Sequence, residues 1–113
     1  MQARGIAPAS AADGCPVTRY GHTGYGICGS SVLDVTWADG HTESFVIGTD
    51  NAVWHIVSWY SNWASIGGQA SDTDSAFYNS SNQPTVRVYV SWAPHKYWCS
   101  SIVGSSWSSW YAC

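Results

Sequence analysis

Aromatic side chains placed beside short polar ones are the residues of this sequence best suited to bind a ligand. The apolar C–H face of a sugar ring matches rigid Trp or Tyr, and carboxylate, amide or imidazole groups can hydrogen-bond its hydroxyls. One such group comprises Asp50, Asn51, Trp54, His55, Trp59 and Trp63. A second comprises Arg87, Trp98, Trp107 and Trp110. These ten residues are therefore candidates for binding neutral glycans.

Five of these candidates also have an ordinary structural interpretation. Trp54 and Trp98 fall in predicted strands, where an indole can fill the core. Asp50 and Asn51 are typical of turns, in which they bond to their own backbone. The guanidinium of Arg87 can grip a sugar or a carboxylate, or pair with a nearby acidic residue. The eight Trp exceed what so small a core needs, so some are expected at the surface or at an interface.

Catalytic and metal-binding patterns do not emerge from the sequence. The chain has no G-x-S-x-G nucleophile turn, no phosphate-binding Gly-rich loop and no obvious pair of carboxylates for glycoside hydrolysis. Its four His residues share no ligand spacing that indicates zinc. We therefore expect a protein that is not an enzyme and that needs no cofactor.

Composition restricts the partners. Four Lys and Arg among 113 residues, with a formal net charge of −3, provide no basic surface for nucleic acid. The longest apolar run is much too short to cross a bilayer. The remaining partners are glycans, a second copy of the chain in a homo-oligomer, or another protein.

The four cysteines predict two disulfides and an oxidising, extracellular compartment. Three pairings are possible. Cys15–Cys28 with Cys99–Cys113 is favoured, because each of these pairs brackets a hairpin-like stretch. The segment from Arg4 to Gly14 is also typical of the start of a mature secreted chain, which again indicates secretion.

Strand-forming residues dominate, and no segment has helical periodicity. We expect an all-β fold of small antiparallel meanders, arranged as one or two propeller-like blades or as a compact β-sandwich. The Asp39-Gly40 pair predicts a hairpin turn, and the polar stretch 69–84 predicts a long loop with at most a short strand at 76–78. The predicted strands are 32–37, 42–47, 52–57 and 85–92, after a disulfide-clamped hairpin at 15–28, and two further extended pieces are predicted at 96–101 and 102–110.

A weak repeat divides the predicted β domain. Trp54 and Trp63 are nine residues apart, as are Trp98 and Trp107, and the two pairs are offset by 44 residues (98 − 54 = 44). That period is within the range of β-propeller blades. We therefore expect a flexible N-terminal arm at 1–14 and one β domain at 15–113, with blade-like units at 15–68 and 84–113.

The segment from Phe45 to Gly68 carries a resemblance to known lectins. Its GTDNAVWH turn and the following W-x-x-x-W-x-S-I-G-G run resemble one blade of the propeller lectins typified by the Photorhabdus lectin family. The second half, from Val86 to Trp107, resembles the two-blade fucose-binding lectins related to the Ralstonia and Aleuria proteins. Arg87 matches their sugar-binding Arg, whereas His95-Lys96-Tyr97 replaces their Glu. The resemblance implies a propeller-type fold, oligomerisation and sugar binding.

A second resemblance covers residues 15–57. Their Cys spacing and strand–turn–strand pattern are similar to bacterial α-amylase inhibitors of the tendamistat type, although only Arg19-Tyr20 of the inhibitory Trp-Arg-Tyr triplet is present. This similarity implies a small secreted inhibitor of a glycoside hydrolase or protease. A further alternative is a non-catalytic subunit of a secreted complex, in which the aromatic residues form a protein interface.

Overall fold

The computed structural model describes residues 14–113, and these form three antiparallel sheets without a helix. The predicted N-terminal arm, apart from Gly14, lies outside the described residues. No helix in residues 14–113 is long and apolar enough to span a membrane. The strands are β1 (Cys15–Arg19), β2 (His22–Gly26), β3 (Leu33–Thr36), β4 (Thr42–Ile47), β5 (Val53–Val57), β6 (Ala64–Gly67), β7 (Asp72–Tyr78), β8 (Pro84–Tyr89), β9 (Tyr97–Val103), β10 (Ser106–Trp107) and β11 (Tyr111–Ala112).

Both predicted disulfides are present, and each closes a local hairpin. Cys15 is joined to Cys28 across the β1–β2 hairpin, and Cys99 is joined to Cys113 between β9 and the segment that follows β11. The expected all-β fold with small antiparallel sheets and two disulfides is thus confirmed. Two disulfides in so small a domain are compatible with an extracellular location.

Two meanders make up most of the molecule. The first sheet has the order β3-β4-β5-β6, and the second has the order β10-β9-β8-β7, with β11 also pairing with β9. The predicted long loop at 69–84 is wrong, because Asp72–Tyr78 forms a seven-residue strand that pairs along β8. The second sheet therefore begins at residue 72, and the boundary predicted at 84 falls inside it.

The main core lies between the two sheets. Phe45, Ile47 and Val53 from the first sheet meet Val86 and Val88 from the second, and all five are at most 1% exposed. Burying an aliphatic or aromatic side chain of this size contributes roughly 1.5–3 kcal/mol. The alternation of side chains along β4 and β8 explains which residues take part, since every second residue points into this core.

A smaller core lies on the other face of the first sheet. It consists of Val46, Ala52, Trp54, Ile56 and Trp63, with Val17 of the β1–β2 hairpin packed against it. The hairpin therefore covers the face of the first sheet that is turned away from the second sheet. The indole Nε1–H of Trp63 donates to the backbone oxygen of His22 (3.0 Å), which ties the hairpin to this face.

The two sheets stack face to back. Trp54 and Trp98, which are 44 residues apart, both lie in the third strand of their sheet, in β5 and β9. Trp54 faces away from the second sheet, whereas Trp98 packs toward the core that the two sheets share. The face that carries Trp54 in the first sheet and the face that carries Trp98 in the second sheet thus point in the same direction. In a two-fold symmetric sandwich these two faces would instead pack against each other.

Candidate functional site

Three of the predicted ligand-binding residues are buried. Trp54, His55 and Trp63 are 3%, 4% and 6% exposed, so the structure places them in the core instead of on a surface that a glycan can reach. His55 Nδ1–H donates to Glu43 Oε2 (2.6 Å), and Glu43 Oε1 accepts from the indole Nε1–H of Trp37 (2.8 Å). This network gives both oxygens of the buried Glu43 carboxylate a hydrogen-bond partner.

Asp50 and Asn51 stabilise the turn between β4 and β5. Asp50 Oδ1 accepts from the Ala52 amide and from the indole Nε1–H of Trp54, both at 3.0 Å. Asn51 adopts a φ of 68° and donates from Nδ2 to the Ala70 carbonyl (3.1 Å). Asp50 and Asn51 therefore stabilise the turn, as Asx residues usually do, and Asp50 also holds the Trp54 indole in place.

Substituting Gly48 with alanine is expected to disrupt this turn. A Cβ at Gly48 would lie 2.6 Å from the indole of Trp54 and 2.8 Å from Asp50 Oδ1. Overpacking of this kind costs about 1–3 kcal/mol. Urea unfolding of Gly48→Ala should show that loss, while Thr49→Ala in the same turn should change stability by less than about 0.5 kcal/mol. Equal stability of the two variants would contradict this contact.

Two other predicted residues lie apart from each other. Trp59 is 67% exposed, and its ring lies 5.3 Å from that of His41 beside the β3–β4 turn. Trp107 is half-buried and makes edge contacts with Phe45 (5.7 Å) and His55 (6.0 Å). The structure therefore does not join the ten predicted residues into one binding site.

Trp98 and Trp110 do come together. With Gln69, Val88, Val90 and Ala93 they line a cavity of about 220 Å³, which we name the indole cavity. It lies on the inner face of the second sheet, near the β8–β9 turn. The same turn carries Trp92, which is 57% exposed and is not among the predicted site residues.

Arg87 is the centre of an aromatic surface on the outer face of the second sheet. Its guanidinium carbon lies 5.7 Å from the centre of the Phe77 ring and 5.2 Å from that of Tyr97. Tyr89 continues the row, with its ring centre 5.5 Å from that of Tyr97. Arg87 Nε–H donates to Asp74 Oδ2 (2.8 Å). We name these five residues the Arg87 platform.

Strand register explains how this platform forms. Arg87 and Tyr89 are two residues apart on β8 and so share one face. Tyr89 pairs directly with Tyr97 on β9, and Phe77 on β7 pairs with Thr85, two residues before Arg87. The row therefore crosses three neighbouring strands. Opposite-face residues Val86 and Val88 are buried in the core, which fixes the orientation of β8.

Both charged groups of the platform remain available to a ligand. The side chains of Arg87 and Asp74 are 39% and 30% exposed. Burial raises the pKa of Asp74, but hydrogen bonds from Arg87 and Ser75 and the nearby Arg87 charge lower it more, so that the net shift is downward. Within residues 14–113, only Nε of the Arg87 guanidinium has a hydrogen-bond acceptor. Its terminal nitrogens can therefore donate outward beside an ionised carboxylate.

Of the five residues of the Arg87 platform, Arg87 is among the residues predicted from the sequence, whereas Asp74, Phe77, Tyr89 and Tyr97 are not. The alternation T-V-R-V-Y was a usable signal for Tyr89, since it places that ring beside Arg87. The other three depend on which strands flank β8 and in which register, and the local sequence does not contain that information.

The hairpin tip considered for enzyme inhibition is held against the first sheet. Arg19 forms two hydrogen bonds with Asp34, at 2.9 and 3.0 Å, and the Tyr20 hydroxyl bonds to Thr42 Oγ1 (2.6 Å). The hydrogen bond from Arg19 is the largest contribution to the lowered pKa of Asp34. Both side chains are thus engaged within the protein, and this geometry adds no support to the inhibitor hypothesis.

No protein-family model and no curated protein matches this chain.

Proposed function

We propose that this protein is a secreted, lectin-like module that binds neutral glycans at the Arg87 platform. The observation that carries the proposal is the position of an exposed Arg–Asp pair within a row of aromatic rings that crosses three strands. The proposal keeps the function expected from the sequence, but moves the site from the predicted Trp cluster to the outer face of the second sheet.

The chemistry of the platform matches the two kinds of surface on a sugar. Tyr97 is 39% exposed and offers a rigid aromatic face for the apolar side of a pyranose ring. The guanidinium supplies several donors in a fixed planar arrangement, and the Asp74 carboxylate supplies acceptors. Neighbouring hydroxyls of one sugar can therefore donate to Asp74 and accept from Arg87 simultaneously.

The charge of the platform favours a neutral ligand. Arg87 and Asp74 form an ion pair whose formal charges cancel. An anionic ligand would compete with Asp74 for the guanidinium and would be repelled by its carboxylate. A neutral glycan can instead hydrogen-bond to both groups without breaking the pair.

The face-to-back stacking of the two meanders supports the lectin resemblance. Neighbouring blades of a propeller are repeats that stack in the same direction, and the 44-residue offset relates equivalent positions in this chain. The β1–β2 hairpin covers the outward face of the first sheet, so further stacking at that face would require the hairpin to move.

The Arg87→Ala variant tests the proposal. Hydrogen bonds to a charged group contribute about 1.5–3 kcal/mol, so we expect glycan affinity to fall at least tenfold. The measurement is a glycan array on the oxidised protein, followed by calorimetric titration with the glycan that binds best. The variant should remain folded, because exposed ion pairs contribute only about 0–1 kcal/mol to stability.

Arg19→Ala is the matched control. Arg19 is also paired through Nε with an Asp, at 2.9 Å compared with 2.8 Å for Arg87, and its side chain is 34% exposed. It lies on the β1–β2 hairpin, away from the platform. We expect this variant to bind glycan like the wild type. If no neutral glycan binds to the wild type, or if the two variants lose affinity equally, the proposal is wrong.

A further inference from the structure

The indole cavity has a chemistry different from that of the platform. Five of its six lining residues are apolar or aromatic, namely Val88, Val90, Ala93, Trp98 and Trp110. The indole N–H groups do not make it polar, because both are already bonded to backbone oxygens. Trp98 Nε1–H donates to His95 (2.8 Å), and Trp110 Nε1–H donates to Ile66 (3.1 Å).

Gln69 is the polar residue of this cavity. Its Nε2 donates to the Gly68 carbonyl at 3.1 Å and approaches the Asp50 carbonyl at 3.4 Å. Those contacts use only the amide nitrogen, and within residues 14–113 no group donates to the side-chain oxygen Oε1. The side chain is exposed at the edge of the cavity, so a ligand that enters meets one hydrogen-bond acceptor and otherwise apolar walls.

The walls of the cavity are held in place by the backbone. Gly68, which has a φ of 76°, lies directly under Trp110, since a Cβ there would be 2.7 Å from the indole nitrogen. Val88 and Val90 are 1% and 5% exposed and belong to the main core. The cavity is thus largely formed before any ligand binds, which lowers the entropic cost of binding.

We infer that the indole cavity binds a small planar aromatic molecule that carries one N–H or O–H donor, such as an indole or a phenol. An apolar cavity of about 150 Å³ binds benzene, so about 220 Å³ has room for one or two fused rings. Aromatic ligands also gain from edge or offset contacts with the two indoles. The donor of the ligand would bond to Gln69 Oε1. This site is independent of the proposed glycan platform, which lies on the other face of the same sheet.

Calorimetric titration with indole and with 1-methylindole tests this inference. The two ligands have nearly the same shape, but methylation removes the N–H donor. We expect the wild type to bind indole at least fivefold more tightly than 1-methylindole, and Gln69→Leu to bind the two equally. Equal affinities in the wild type would overturn the role of Gln69 and the ligand class with it.

Filling the cavity provides a second test. Ala93→Leu should reduce indole affinity at least tenfold, because the added side chain occupies the cavity. Ala38→Leu is the control, since Ala38 is exposed in the β3–β4 turn, and it should bind indole like the wild type. Unchanged indole affinity in a folded Ala93→Leu, or no indole binding by the wild type, would overturn the site. Arg87→Ala should leave indole binding unchanged, which separates this site from the platform.

Discussion

Replacing Glu43 with alanine is expected to lower the free energy of unfolding by about 3–5 kcal/mol. Glu43 is 2% exposed, and its two oxygens accept from Trp37 Nε1 (2.8 Å) and from His55 Nδ1 (2.6 Å). Alanine would leave both donors buried without a partner, and each orphaned donor costs about 1–3 kcal/mol. A loss of this size is a large fraction of the total stability of a small domain.

Glu43→Gln is the informative control for this network. The Gln side chain has nearly the same shape, its oxygen can still accept from Trp37, and its amide can donate to a neutral His55. We expect it to cost less than half as much as Glu43→Ala, measured by urea unfolding at neutral pH. If both variants were as stable as the wild type, the network would contribute nothing to the core.

Removal of the Cys99–Cys113 disulfide has the second-largest expected effect. The sequence separation of 14 residues predicts a loss of roughly 3 kcal/mol from the gain in unfolded-chain entropy. Cys99 is 1% exposed in the second sheet, so the double Cys→Ala variant also loses packing there. We therefore expect a loss somewhat above the entropic value, read from urea or thermal unfolding.

The Cys15–Cys28 disulfide provides the comparison. Its sequence separation is 13, so the entropic effect of removing it is nearly the same. Both of these residues are exposed, and a Cys→Ala pair there should lose little packing. A larger loss of stability in the variant that lacks Cys15–Cys28 than in the variant that lacks Cys99–Cys113 would contradict the packing seen around Cys99.

Strands that border the core could be predicted well from the sequence. The predicted strand at 42–47 coincides with β4, because β-branched and aromatic residues there are followed by a turn-forming Gly-Thr-Asp-Asn. The turn predicted at Asp39-Gly40 is also present in the structure, with Gly40 at a φ of 92°. Such signals are local, since they depend on the intrinsic preferences of a few adjacent residues.

β7 could not be recognised in this way. Asp72, Thr73, Asp74 and Ser75 are residues that commonly form loops, and a bulge between Thr73 and Ser75 interrupts the alternation. The strand forms because it pairs along β8, which is a tertiary effect. Since Phe77 and Asp74 lie on this strand, the composition of the Arg87 platform could not be predicted either.

The burial of Trp54 and Trp63 was equally hidden. Both belong to the face of the first sheet that points away from the main core, where a Trp would be exposed in an isolated meander. They are buried because the β1–β2 hairpin packs over them, with Val17 in contact and His22 bonded to Trp63. The surplus of Trp therefore reflects, in part, a second covered face of the first sheet.

Mapping the bound glycan by NMR tests whether the Arg87 platform is the binding site. The isotope-labelled protein would be titrated with the best glycan from the array, and the side-chain and backbone shifts of the platform would be followed. We expect the largest shift changes at Arg87, Tyr89, Tyr97 and Phe77, with little change at Trp59 or Arg19. Largest changes at Trp59 or in the indole cavity, with an unperturbed platform, would contradict it.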